Sequence, residues 1–209
     1  MRLCLFVFPF LVASPTLAHP HVFVDARAGF SFTDDGQLAG LKITWTYDAF
    51  TSLTLFDILD LDKDGDGALN DADRAAIVAG ETEWADDYKG DTYLERDGAE
   101  VGLARPLNGA AWMEDDRITV TFDLPLTTPE TVVGDMVLKL YDPFYYYAYT
   151  VTDLDDVAWE GCSAELVSFV PDQAAAELQT KLAALSREET PEQENVGRYF
   201  ADQVRLTCD

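Results

Sequence analysis

The 209-residue sequence is short of three things: histidine, cysteine and positive charge. Fourteen Lys and Arg stand against 39 Asp and Glu, a formal net charge of −25. No basic patch can neutralise a phosphate backbone, so DNA and RNA are excluded as partners. The same imbalance disfavours docking on anionic membranes. The only two histidines, His19 and His21, both lie near the start of the chain. Neither a Ser/His/Asp set nor a three-histidine zinc hydrolase can then be assembled, and the chain reads as a non-enzyme. No apolar run approaches the ~20 residues that a transmembrane helix needs.

At 48% hydrophobic and 12% aromatic residues, the sequence has enough apolar material for a sizeable core. Its length fits one domain, or one domain with an insertion. The acidic excess is therefore not a disordered tail. A polyanion attracts cations, and metal ions head that class. Asp outnumbers Glu two to one, a bias that suits oxygen-ligand cation sites and Asx turns. An acidic, solubilising surface accounts for most of these carboxylates equally well.

Met1-Arg2, the apolar run Leu3 to Ala13 and the small-residue site Thr16-Leu17-Ala18 form a Sec-type signal peptide over residues 1–18. Cleavage after Ala18 leaves a periplasmic chain of 209 − 18 = 191 residues with no membrane-inserted segment. Export removes Cys4 and leaves Cys162 and Cys208 in an oxidising compartment, where an even pair reads as a disulfide.

Alternating β-formers over residues 21–32 and 38–47, around the turn Asp34-Asp35-Gly36, predict an opening hairpin. From Ala49 the period becomes helical: Phe50, Leu53, Phe56, Ile58 and Leu59 share a face. A second helical stretch follows over residues 71–88, so residues 49–88 read as an inserted helical pair. Strand signals return at 92–96, 100–104, 117–123, 131–141, 145–151 and 165–170. Residues 171–205 read as helical, in two segments from Gln173 and Pro191. The expected fold is mainly β within the α+β class. It is a single domain over residues 19–209, with an antiparallel sandwich-like core, the helical insertion and C-terminal helices.

Asp62-Lys63-Asp64-Gly65-Asp66-Gly67-Ala68-Leu69-Asn70-Asp71-Ala72-Asp73 resembles an EF-hand calcium loop. Calcium gathers six to eight oxygens, so short carboxylates must alternate along a tightly turning chain. Asp62, Asp64 and Asp66 take the first, third and fifth places, and Gly67 the sharp sixth. Ala68 offers its carbonyl, Leu69 the apolar anchor, and Asn70 the ninth ligand. The twelfth place holds Asp73 where Glu is usual; one methylene shorter, it weakens bidentate reach and shifts preference towards magnesium.

Cleavage after Ala18 would put the free α-amine on His19. Two imidazoles about 6.6 Å apart along an extended chain can share one ion with that amine. Such nitrogen donors suit Zn²⁺, Ni²⁺, Co²⁺ or Cu²⁺. Pro20 lacks an N–H, which excludes the square-planar motif that uses deprotonated amides. Asp48 and Asp142 are candidate carboxylate co-ligands, although Asp48 also suits a helix N-cap.

The opening His19-Pro20-His21-Val22-Phe23-Val24-Asp25 after a signal peptide resembles a bacterial family of exported proteins. Family members are labelled domain-of-unknown-function proteins or uncharacterised periplasmic components of ABC-type transport systems. Trp45-Thr46-Tyr47-Asp48, the Asp-rich loop, Tyr141-Asp142-Pro143-Phe144-Tyr145-Tyr146 and Cys208 extend the resemblance over the mature chain. It implies a role beside an inner-membrane nickel, cobalt or zinc transporter, and no established enzyme activity. Two function classes follow. One is a periplasmic metal-binding accessory protein that also carries a calcium loop. The other is a calcium-stabilised interaction or structural module with no transition metal.

Overall fold

The computed structural model describes residues 19–186 and 189–209. The expected signal peptide, residues 1–18, lies outside the described residues. β1 (Val22–Phe32) and β2 (Leu38–Tyr47) form the predicted antiparallel hairpin. At its turn Gly36 adopts φ +82°, a conformation that glycine enters without steric cost. Alternation puts Val24, Ala26, Ala28 and Phe30 inside, as period-two patterning requires.

Among the described residues, ten strands build two sheets of five. The first has the order β5-β6-β2-β1-β8, with β5 at Leu107–Glu114, β6 at Arg117–Glu130 and β8 at Tyr147–Leu154. Its pairings are antiparallel except β1 with β8, which is parallel. The second has the order β4-β3-β7-β10-β9 and is antiparallel throughout. Its strands are β3 (Thr92–Arg96), β4 (Ala99–Val101), β7 (Met136–Leu140), β9 (Cys162–Val167) and β10 (Gln203–Cys208). Trp45, Phe122 and Ile43 of the first sheet share one buried cluster with Leu94, Leu138 and Leu206 of the second. The protein is therefore mainly β within the α+β class, as the patterning predicts.

Three α-helices accompany the sheets among the described residues. α1 (Ala49–Ile58) and α2 (Asp71–Thr82) flank the Asp-rich loop, and α3 (Gln173–Ala183) follows β9. No helix among the described residues is long and apolar enough to cross a membrane. Two expectations are corrected. The apolar face assigned to α1 does not all point inward, since Phe50, Leu53 and Ile58 are exposed. The helix expected from Pro191 to Val204 is instead a short 3₁₀ turn, Val196–Phe200, followed by the strand β10. Val204 and Leu206 are buried while Arg205 and Thr207 face out, a period of two that only a strand satisfies.

β10 lies between β7 and β9, so the end of the chain is interior to its sheet. Cys208 pairs directly across from Cys162 on β9, and the two form the expected disulfide at a Cα–Cα distance of 4.0 Å.

Candidate metal centres

His21 sits just before β1, where its backbone N–H donates to the Tyr146 carbonyl at 2.9 Å. That bond fastens the start of the chain to the segment leading into β8. The His19 and His21 ring centroids come to 5.0 Å, and the Tyr146 ring lies 4.4 Å from His21. His19 is buried, and its Nδ1 has no hydrogen-bond partner among the described residues.

The two candidate carboxylates do other work. Asp48 caps α1: Oδ1 accepts from Thr51 N–H, and Oδ2 from Thr51 Oγ1 and Phe23 N–H. Burial alone would raise its pKa, but these bonds outweigh it and hold the carboxyl below its usual value. Asp142 organises the turn before β8, with Oδ1 accepting from Phe144 N–H and Oδ2 from Tyr146 and Tyr147 N–H. Each is held by local hydrogen-bond donors, and among the described residues neither forms a three-ligand group with the histidines. Asp25 pairs with Arg117 at 2.9 Å.

In the loop, oxygens of Asp62, Asp64 and Asp66 lie within 4.8 Å of one another. This is the only group of three potential ligands of that kind among the described residues. Asp62 shapes the loop: Oδ1 accepts from Asp66 N–H at 2.9 Å, and both its oxygens accept from Gly67 N–H. Gly65 and Gly67 take positive φ, +72° and +79°. Leu69 is buried in the core cluster, as an anchor should be. Asn70 and Asp73 face each other rather than the three carboxylates. Asn70 Oδ1 caps α2 at Ala72 and Asp73 N–H, and Asp73 Oδ2 accepts from Asn70 N–H, forming a capping box.

A family model described as "Protein of unknown function (DUF1007)" matches residues 4–208. The chain belongs to this family. No curated protein matches it.

This DUF1007 member also holds a polar cluster that sequence reasoning missed. Asp91, between α2 and β3, is buried and accepts from Tyr149 Oη at 2.8 Å, with Tyr88 beside it. Burial pushes its carboxyl up to about 7, with the neighbouring Asp142 adding to the rise and the two tyrosines opposing it. Nearby, Glu81 of α2 accepts from Tyr47 Oη at 2.6 Å and is also raised by burial. Tyr147 stacks on Tyr149 and feels both carboxylates; burial and those charges raise its hydroxyl to about 12. Seven residues from five stretches of chain meet here, so no local motif announces them. The Tyr-rich run at 145–149, inside the strand predicted over 145–151, is the one signal the sequence offers. Within it, Tyr147 and Tyr149 do stack on one another, whereas Tyr145 takes φ +57° and stacks on Phe200.

Proposed function

We propose that this protein is an exported, periplasmic metal-binding accessory protein of a divalent transition-metal transport system, with nickel, cobalt and zinc as the candidate cargo. The observation that carries this reading is the histidine pair: two rings at 5.0 Å, with the buried Nδ1 of His19 lacking a hydrogen bond among the described residues. A buried polar atom without a partner costs free energy, which a coordinated cation would recover. Among the described residues no carboxylate forms a three-ligand group with the pair. The protein would thus supply two imidazoles, with the α-amine added on cleavage after Ala18. At least one coordination position is left for water or an incoming ligand, as suits a carrier rather than a closed structural zinc site.

Calorimetric titration of the processed protein with Zn²⁺, Ni²⁺ and Cu²⁺ tests this, beside a His19→Ala, His21→Ala double variant. The double variant should bind at least about tenfold more weakly with an unchanged circular dichroism spectrum. Equal binding by the two proteins would sink the reading. The convergence of Asp62, Asp64 and Asp66 favours the second reading, a calcium-stabilised interaction module. A protein that responds to Ca²⁺ but shows no histidine-dependent binding would be that module.

A further inference from the structure

α1 carries one charge, Asp57, in ten residues. A helix apolar on every side is ordinarily enclosed. Its inner side is: Ser52 is buried, and Leu55 and Phe56 pack on the core. On the outer side Phe50, Leu53 and Ile58 are 76%, 70% and 70% exposed. These positions, with Thr54 and Asp57 between them, follow the i, i+3, i+4, i+7, i+8 spacing of a single stripe. Phe23, 54% exposed, adjoins the N-terminal end of the stripe. Its N–H donates to Asp48 Oδ2, and its carbonyl accepts from Asp48 N–H. A cluster of large apolar side chains held in water marks an interaction surface.

Charge selects the occupant. Between residues 48 and 66 the chain carries six aspartates and one cation, Lys63, itself paired with Asp60 at 2.8 Å. A second copy would bring two such acidic rims together on two chains of charge −25, and like charges across an interface reject a partner. Anionic lipid is repelled for the same reason. We propose that the α1 stripe docks on a cationic protein, one with an apolar socket for Phe50, Leu53 and Ile58 and a Lys/Arg rim facing Asp57 and Asp60. Because Phe23 lies two residues beyond His21, the docked partner would sit next to the histidine pair. The docking itself requires no metal there.

A photo-crosslinking residue at Leu53 in the full exported chain tests this, with exposed Gln179 on α3 as the control position. The Leu53 probe should trap a protein that the Gln179 probe does not. That protein, purified, should bind the parent chain and lose at least about tenfold in affinity against a Phe50→Asp, Leu53→Asp double variant. Its affinity should also fall several-fold between about 50 and 200 mM salt. The variant's melting temperature should match the parent's, since both positions face water. The proposal is overturned by a Leu53 crosslink to a second copy, by flotation of the chain with phosphatidylglycerol vesicles through the stripe, by salt-independent affinity, or by no Leu53-specific crosslink.

Discussion

Asp91 stands in a left-handed backbone conformation, φ +47°, with 4% of its surface exposed, the Tyr149 hydroxyl on its carboxylate and Tyr88 beside it. Asp142 faces it from the β7–β8 turn, Tyr147 from β8, and the stacked pair Tyr93 and Tyr141 from β3 and the end of β7. No cation among these groups offsets its charge. Its folded pKa, about 7, exceeds the ordinary 3.8, so the folded state holds a proton that the unfolded chain has released. The sign follows: this stabilisation is complete below about 4 and is lost as pH rises through 7. Asp91→Asn keeps an acceptor for Tyr149 while removing the titration. The stability of Asp91→Asn relative to the parent should therefore climb between about pH 4 and 7 and level off above, by up to about 4 kcal/mol. Urea unfolding across that range in the presence of a chelator measures it. A flat difference would show that Asp91 does not titrate in this window. Glu81, raised in the same direction, is common to both proteins and cancels in the comparison.

At the scale of elements, α1 depends on one buried hydroxyl. Ser52 Oγ accepts from Ile118 N–H on β6 at 2.9 Å, and both residues are almost fully buried. Ser52→Ala leaves that N–H without a partner, so the protein should lose about 1–3 kcal/mol of stability. Chemical denaturation reads the loss, and an unchanged midpoint would mean that water replaces the hydroxyl. The same helix shows where periodicity informs and where it misleads. Its apolar spacing predicted a helix in the right place, but hydrophobic residues on all sides cannot say which side faces the core. β10 was misread for a related reason: Gln203-Val204-Arg205-Leu206 is too short to stand out beside the helical composition before it. β5, Leu107–Glu114, was missed because small and polar residues give it little β-former signal. The convergence of Asp62, Asp64 and Asp66 was legible because the three carboxylates alternate along one short turning stretch of chain. The cluster around Asp91 is assembled from distant segments and becomes visible only in three dimensions.

For the molecule as a whole, the charge of −25 opposes compaction and makes stability sensitive to every cation present. Two cation effects should be separable. Screening by monovalent salt acts on all the carboxylates together. A bound calcium ion acts only through the loop and stabilises by RT ln(1 + [Ca²⁺]/Kd), about 2.7 kcal/mol at a hundredfold excess over Kd. For a chain of this size, that corresponds to a rise of roughly 5–10 °C in melting temperature. Melts with Ca²⁺ should therefore exceed those in NaCl of matched ionic strength. Asp62 is a poor residue with which to prove the cause, because its oxygens hold the backbone of Asp66 and Gly67 whether or not an ion is bound. Asp64 makes no hydrogen bond among the described residues and is exposed, so Asp64→Asn removes a ligand charge and little else. That variant should keep the NaCl increment and lose most of the calcium increment. If parent and variant gain equally from Ca²⁺, the ion acts as a diffuse counter-charge and the loop is an Asp/Gly turn. A calcium-specific gain confined to the parent would make these few carboxylates a binding site within an otherwise solvating surface.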